Sequence, residues 1–279
     1  MNILSNDFVL EIGSGHNPNV RADVLCDKFI DDDEQRGGMI VTDRPLVEAD
    51  GQYLPFVDGA FDYVICMHVL EHVEDPDLLL TEMMRVSSRG YIETPSEIGE
   101  RIYGWPYHNW VVNEINGHLV LHKNPKQAEF GQLFHTLAAQ DRHWRKFHIM
   151  HHDLFLVQHE WNEKIDYEIL LEKESPLNLS CPQTIERLLT FDLPEQTHRE
   201  FWLVLKSVVP RSIVSRAKSL FARKRMGRLT KSLKEIIICP KCKDDVLWNE
   251  DRILCRNCDK AFPIVDGIPR MNVMPMMST

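Results

Sequence analysis

The sequence predicts an α/β protein with an open, mostly parallel sheet and helices on both faces, followed by a helical segment and a small cysteine-rich domain. Two observations lead to this class. Short apolar runs that fit buried parallel strands alternate with loops and helix-like segments along residues 1–174. Four of the seven cysteines lie in the last 41 residues, a spacing that indicates a metal site and not a disulfide framework.

Five apolar runs are the predicted parallel strands, at residues 8–12, 22–27, 46–49, 61–67 and 89–94, and a helix is expected at 77–86. Asn116-Gly117 lies between two β-rich runs and predicts a hairpin, because both turn positions tolerate positive φ. Segments 154–161 and 166–171 are then expected to close the same sheet as antiparallel strands.

The first strand runs into Glu11-x-Gly13-x-Gly15, a loop whose glycines allow a tight turn and close approach to a ligand. Asp27 ends the second strand, where a carboxylate commonly accepts hydrogen bonds from a ribose. No Gly-Lys-Ser/Thr follows, and there is no third glycine for a pyrophosphate. A ligand without phosphates is favoured. Only residues 16–21 remain for a helix before the second strand, so that helix is one turn or a loop.

The run LPFVDGAFDYVICMHVLEHVEDP extends this pattern. Together the motifs resemble the class I S-adenosylmethionine-dependent methyltransferases, and most of all the broad group that includes quinone-biosynthesis enzymes, over residues 8–171. The resemblance implies a Rossmann-like, seven-strand sheet and a cofactor site. Glu11, Gly13 and Gly15 would line the methionine end. Asp27 would bind the ribose, Asp50 the adenine amino group, and His68 would lie near the sulfonium.

His68, Glu71 and His72 would share one face if a helix began at His68. The plant small-RNA 2′-O-methyltransferases resemble this stretch, and His108 would supply a further metal ligand. The alternative is an ordinary helix opening without metal. We adopt the alternative, in which His68 or His108 serves as a general base for an oxygen acceptor.

The segment after the fifth strand is rich in aromatic residues that either stack on an acceptor or pack a lid. They are Tyr103, Trp105, Tyr107 and Trp110, with His108 among them. Six histidines follow without metal-site spacing and are expected to lie mostly on the surface. They are His135, His143, His148, His151, His152 and His159.

The pattern Cys239-x2-Cys242, twelve residues, Cys255-x2-Cys258 predicts two knuckles that converge on zinc. Four thiolates leave no open position, so the zinc is expected to be structural. This segment resembles the small zinc-ribbon proteins that activate RNA and protein methyltransferases. The other three cysteines, at positions 26, 66 and 181, are read as ordinary thiols.

Between Arg211 and Lys234 there are nine basic residues and no acidic residue, in a chain of net charge −10. This stretch fits a helix on an anionic membrane, a contact with RNA, or a solvated face. The predicted domains are a methyltransferase domain at 1–174, a helical linker at 175–235 and a zinc ribbon at 236–273.

The expected function is methyl transfer from S-adenosylmethionine to an oxygen of a small-molecule or glycan acceptor. Two alternatives stay open: an RNA- or protein-modifying methyltransferase with a built-in activator, and a cofactor-binding protein without activity. No apolar run is long enough to span a membrane, and the polar N-terminus does not fit a secretory signal. A location in the cytoplasm, or peripheral to a membrane, is therefore expected.

Overall fold

A computed structural model describes residues 1–31, 38–126, 128–170 and 231–273, together with residues 175, 177 and 182. The predicted linker at 175–235 lies almost entirely outside these residues. So do Cys181 and residues 211–230 of the basic segment. Within the described part of the chain, no helix is long and apolar enough to cross a membrane.

The main sheet is mixed and mostly parallel, as predicted, with the strand order β3-β2-β1-β4-β5-β8. Its strands are β1 Val9–Ile12, β2 Val24–Asp27, β3 Leu46–Glu48, β4 Tyr63–Met67, β5 Arg89–Pro95 and β8 Leu156–Asn162. β1 lies between β2 and β4 and is buried along its whole length. β8 is antiparallel to β5. All five predicted parallel strands are confirmed.

The connections between the parallel strands differ from a regular Rossmann-like sheet. Residues 16–21 form turns and no helix. Among the described residues, the only α-helix in these connections is α1, Pro76–Val86, between β4 and β5. Its start is fixed by Pro76 and by the Asp75 carboxylate, which accepts the backbone N–H of Asp77 at 3.0 Å. Helices on both faces therefore stay a prediction.

The predicted seventh strand is not part of this sheet in the described residues. β6 Trp110–Ile115 and β7 His118–Lys123 form the expected hairpin, with Asn116 and Gly117 at positive φ. The predicted closing strand 166–171 is instead β9, Tyr167–Leu170, which pairs in parallel with β7. The chain turns away from the main sheet at Glu163, whose φ is 66°.

Helix α2, Glu97–Tyr103, precedes the hairpin. Three further helices lie between the hairpin and β8: α3 Gly131–Gln140, α4 Arg142–Met150 and α5 His152–Phe155. α2 contacts α3 and α5, and α3 contacts α4. These helices thus form one layer next to the end of β5.

The C-terminal segment is a four-stranded antiparallel sheet preceded by α6, Leu233–Ile236. The strands are β10 Val246–Trp248, β11 Arg252–Cys255, β12 Ala261–Val265 and β13 Ile268–Pro269. It is not a separate body. Ile236, Ile237 and Met271 belong to the same apolar cluster as the main sheet, and the backbone N–H of Met271 donates to the carbonyl of Glu48 at 2.7 Å.

Candidate functional site

A cavity of about 610 Å³ opens at the carboxyl ends of β1, β2, β3 and β4. Ligands of open parallel α/β sheets bind at this edge. The glycine loop forms one side, and the residues that follow β2, β3 and β4 form the others. Its lining includes Gly13, Gly15, Asp27, Asp50 and His68. The fold thus brings together five of the six residues that the sequence assigned to cofactor binding.

The two glycines of the loop both have positive φ, and each makes a different contact. Gly13 has a φ of 69°, and a Cβ there would lie 2.2 Å from Cγ2 of Val69. Gly15 has a φ of 52°, and its N–H donates to the Asp27 carboxylate at 2.9 Å. The loop is therefore pressed against the segment after β4 and tied to the end of β2, which shapes the cavity floor.

Asp27 and Glu11 have different places in the site. The second oxygen of Asp27 accepts the N–H of Phe29 at 3.1 Å, so this carboxylate is fixed at the cavity wall. Glu11 is buried and is not on the cavity lining. Its carboxylate accepts the N–H of Asn19 at 2.7 Å and so holds the chain that replaces the missing helix. A contact between Glu11 and a cofactor stays a prediction.

Asp50 carries partners that the sequence did not reveal. Lys28 Nζ lies 2.7 Å from its carboxylate, and the N–H and side-chain amide of Gln52 donate to it at 2.9 and 3.0 Å. Burial opposes ionisation, but Lys28 and Gln52 more than offset this and lower the pKa of Asp50. The carboxylate is thus charged and oriented at neutral pH. The one sequence signal for the pair of Lys28 and Asp50 is that Lys28 directly follows Asp27, at the end of β2.

A second cavity of about 570 Å³ adjoins the first. His68, His72 and Tyr107 line both cavities. Tyr103, Trp105, Tyr107 and His108 line the second cavity, as an acceptor site would require, although ring packing at a lid is equally consistent with these contacts. Trp110 is buried in the core instead, where its indole N–H donates to the carbonyl of Val73 at 3.0 Å.

His68 lies on the wall between the cavities, in the left-handed backbone region with a φ of 55°. This conformation is uncommon for a residue other than glycine. No helix begins at His68, as the metal interpretation would need, or at Glu71-His72, as the adopted alternative expected, and α1 begins only at Pro76. The imidazole of His68 lies 3.5 Å from the Glu71 carboxylate and 3.6 Å from the Glu93 carboxylate. The Glu71 carboxylate raises the pKa of His68 above its usual value, although burial acts the other way.

Glu71, His72 and His108 come together although no helix joins them. Their ligand atoms all lie within 4.8 Å of one another. Burial opposes ionisation of Glu71, but the surrounding imidazoles lower its pKa. Burial lowers the pKa of His72. Nδ1 of His108 makes a very short contact with the carboxylate of Glu100, a partner that sequence reasoning missed.

The prediction that most histidines between 135 and 159 lie on the surface holds only in part. His135 and His148 line the second cavity, and His159 is buried in β8 beside Glu114. Of the six, only His143 is largely exposed. Helices α3 and α4, which carry His135 and His148, border the second cavity, and periodicity alone did not predict this placement.

The four cysteines of the C-terminal segment converge. Cys239 and Cys258 Sγ are 3.6 Å apart, Cys242 and Cys255 Sγ are 3.4 Å apart, and all four sulfurs lie within 4.8 Å of one another. Four thiolates bound to one tetrahedral zinc at 2.3 Å would be separated by about 3.8 Å. The set therefore fits a zinc ion. Cys26 and Cys66 are buried away from it as free thiols.

Comparisons with known proteins agree with this architecture. Residues 25–92 match the family described as "Methyltransferase domain". An uncharacterised methyltransferase of Mycobacterium tuberculosis is 29% identical over 153 residues, which are 49% of this chain and 59% of that protein. The chain therefore spans less than two thirds of this relative. The subgroup of quinone-biosynthesis-like enzymes stays a prediction.

The C-terminal segment has its own relatives. A UPF0434 protein of Methylobacillus flagellatus is 46% identical over 41 residues, which are 14% of this chain and 68% of that protein. Among solved structures, one chain of the complex of the Haloferax volcanii Trm112 methyltransferase activator with a methyltransferase is 17% identical over a stretch much longer than the C-terminal segment. That match covers 41% of this chain and 66% of the other, with a TM-score of 0.31.

Proposed function

We propose that this chain, which carries a methyltransferase domain and belongs to the UPF0434 family through its C-terminal segment, transfers a methyl group from S-adenosylmethionine to a small-molecule or glycan acceptor. The observation that carries the proposal is the pair of adjoining cavities that share His68, His72 and Tyr107. A methyl donor in the first cavity and an acceptor in the second would meet at this wall. Methyl transfer needs mainly such alignment.

The donor cavity suits a nucleoside without phosphates, with an amino-acid tail, better than a nucleotide. It presents two oriented carboxylates, Asp27 and Asp50, which would accept hydrogen bonds from ribose hydroxyls and from an amino group. Its volume lies within the usual range of about 300–1,000 Å³ for ligand pockets. Gly13 and Gly15 would let the tail approach the backbone.

The acceptor atom is proposed to be oxygen, whose proton must leave. His68 lies on the shared wall and His108 in the acceptor cavity, so these two imidazoles are the proposed proton acceptors. The Glu100 carboxylate orients the His108 ring through Nδ1. The aromatic lining by Tyr103, Trp105 and Tyr107 favours an acceptor with a ring or a sugar face.

The ribbon is proposed to bind zinc through Cys239, Cys242, Cys255 and Cys258, as a structural ion without an open coordination position. Its contacts support a role in holding the catalytic domain. Lys243 Nζ lies 2.6 Å from the Glu82 carboxylate, and Arg270 lies 2.7 Å from Glu48 at the end of β3. A ribbon that stabilises the catalytic domain is compatible with a small-molecule or glycan acceptor and also with an RNA or protein acceptor.

The test is calorimetric titration of the purified protein with S-adenosylmethionine. We expect binding in the micromolar range, at least about tenfold weaker in Asp27→Ala and Asp50→Ala, because each loses a charged hydrogen-bond acceptor. Asp58→Ala is the control, since this exposed acid lies outside the cavity. A folded protein that fails to bind the cofactor contradicts the proposal.

The acceptor class is tested by incubating the protein with methyl-labelled cofactor and a fractionated cell extract. Label in the small-molecule or glycan fraction supports the proposal. Label in RNA or protein supports the alternative, in which residues 211–234 would contact an anionic polymer, and binding would then weaken with salt. Cofactor binding without transfer to any fraction favours the inactive alternative. Vesicle sedimentation tests the proposed membrane contact of the same residues.

A further inference from the structure

The wall between the two cavities contains a cluster with the chemistry of a metal site. Glu71, His72 and His108 each offer one ligand atom, and these atoms lie within 4.8 Å of one another. The three residues all line the acceptor cavity. This set is separate from the four ribbon cysteines in sequence, in ligand type and in position.

An independent observation points to a missing partner. The Glu71 side chain is 1% exposed, and one of its oxygens accepts the hydroxyl of Thr94 at 3.0 Å. The other oxygen, Oε1, is buried and accepts no hydrogen bond. Its neighbours are His68 Nδ1 at 3.5 Å and His72 Nε2 at 3.9 Å. A buried carboxylate oxygen that accepts no hydrogen bond is costly, and a cation is one way to satisfy it.

The surrounding structure holds the cluster in place without a ligand. The N–H groups of Asn109 and Trp110 donate to the carbonyl of Glu71 at 2.7 and 3.1 Å, and the Asn109 amide donates to the carbonyl of His72 at 2.7 Å. The segment that carries His108 is thus bonded to the turn that carries the other two ligands. This connection explains why residues 37 positions apart meet.

His108 has the environment of a metal-binding imidazole. It is buried, and the Glu100 carboxylate contacts Nδ1. A carboxylate on one ring nitrogen fixes the tautomer and leaves the other nitrogen, Nε2, to bind a metal. His72 stacks on the ring of Tyr107, with centroids 5.4 Å apart, and this contact limits its rotation.

We propose that Glu71, His72 and His108 form a divalent-metal site that faces the acceptor cavity. Two imidazoles and one carboxylate suit Zn²⁺, Mn²⁺, Fe²⁺ or Co²⁺. Three protein ligands leave positions open toward the cavity, in contrast to the closed thiolate set of the ribbon. Oxygen atoms of the acceptor fill these positions. That last step rests on the proposed function, whereas metal binding by the three residues does not.

The assignment changes the expected role of His108, which becomes a ligand instead of a proton acceptor. His68 then remains as the base on the shared wall.

The experiment uses the full chain with the ribbon loaded with zinc. Mn²⁺ is titrated alone, and the free ion is followed by electron paramagnetic resonance, because Mn²⁺ favours nitrogen and oxygen ligands over thiolates. We expect one Mn²⁺ per chain in addition to the ribbon zinc. Glu71→Gln and His72→Ala should each weaken binding at least tenfold, and Glu100→Gln about tenfold, as expected for an outer partner of a ligand.

His135→Asn is the matched control, because this histidine lines the same cavity but packs on Tyr103 and Trp105 outside the cluster. It should bind Mn²⁺ as the unmodified chain does. Should Glu71→Gln fail to fold, the half-buried His72→Ala decides the matter. The inference is overturned if Mn²⁺ does not bind beyond the ribbon, or if the cluster variants bind it equally well.

Calorimetry with S-adenosylmethionine on the same samples separates this inference from the proposed function. Cofactor binding without Mn²⁺ binding overturns the metal site and leaves the methyltransferase proposal intact. Mn²⁺ binding that depends on the cluster, without cofactor binding, supports the metal site and contradicts the proposed function.

Discussion

Two residues that line the first cavity have a backbone conformation that residues other than glycine rarely adopt. Gly13 and His68 both have positive φ, and both line the first cavity. Gly13 accepts this conformation at no steric cost, whereas His68 keeps it at a cost that its surroundings must offset. Its N–H donates to the carbonyl of Glu93 at 2.8 Å. Strain at this residue thus coincides with the place where the cavities meet.

Gly13→Ala should destabilise the protein more than a second glycine substitution of the same backbone type. Gly59 has a φ of 60° with open space around its missing Cβ, so Gly59→Ala reports conformational strain alone, about 1–2 kcal/mol. Gly13→Ala adds a contact of 2.2 Å with Val69 and should cost about 1–3 kcal/mol more. Urea unfolding measures both. Equal losses would mean that the loop moves away without cost.

At the scale of elements, the sequence predicted strands better than their partners. Buried parallel strands read as continuous apolar runs, so β1 to β5 were found within two residues of their bounds. The run at 166–171 was correctly predicted as a strand, but period-two alternation does not say which sheet a strand joins. β9 therefore pairs with β7, contrary to expectation.

The sequence likewise predicted only part of the candidate site: the residues of local motifs, but not their partners on other elements. The glycines and acids come from short local motifs, and of these five residues only Glu11 does not line the first cavity. Lys28, Glu93 and Glu100 were missed, because side-chain pairs between separate elements depend on the tertiary fold. The helix opening expected at Glu71-His72 was wrong, because the chain makes a turn after the left-handed His68 and α1 begins only at Pro76. The residue pattern carries no sign of this turn.

We expect the start of α2 to contribute stability that depends on pH. Glu97, its first residue, is buried and accepts hydrogen bonds from Arg101 at 2.8 Å and Asn113 at 2.8 Å. Burial opposes ionisation, but the nearby His122 and these donors lower the pKa of Glu97 from 4.5 to about 2. Because the pKa of Glu97 is lower in the native state than in the unfolded state, the native state binds fewer protons between these two values. The stabilisation by the Glu97 carboxylate is therefore present above pH 4.5 and is lost as the pH falls toward 2.

Glu97→Gln should lower the free energy of unfolding at pH 7 by about 1–2 kcal/mol, a figure reduced for solvent screening. The difference from the unmodified chain should shrink between pH 4.5 and pH 2, where the carboxyl becomes protonated. Urea unfolding at a series of pH values measures this. Glu129→Gln, at an exposed position, is the control and should change little. A deficit that does not depend on pH would contradict the assignment.

At the scale of the molecule, the C-terminal ribbon and the methyltransferase domain share one apolar cluster. Ile236, Ile237 and Met271 pack with core residues of the main sheet. Lys243 donates to the carbonyl of Leu54 at 3.0 Å as well as to Glu82. Burial lowers the pKa of Lys243, and the Glu82 carboxylate partly offsets this. Loss of the ribbon fold would therefore remove contacts from the larger domain.

Cys258→Ser should abolish zinc binding and lower the melting temperature of the whole protein by about 10 °C, since metal-binding free energy is folding free energy in so short a segment. Differential scanning calorimetry and metal analysis measure the two effects. Lys241→Ser, an exposed change in the other knuckle, should retain zinc and stability. Zinc loss with an unchanged main transition would show that the two parts unfold independently.

The docking of residues 270–271 against β3 bears on folding during synthesis. Among the described residues, β3 is the outermost strand of the main sheet, and its Glu48 pairs with Arg270, more than 200 positions later in the chain. A strand with an open edge can pair with other chains. This described partner of the β3 edge is made long after β3 itself. We therefore expect the edge to be a site of unwanted pairing in the nascent chain until residues 270–271 have left the ribosome.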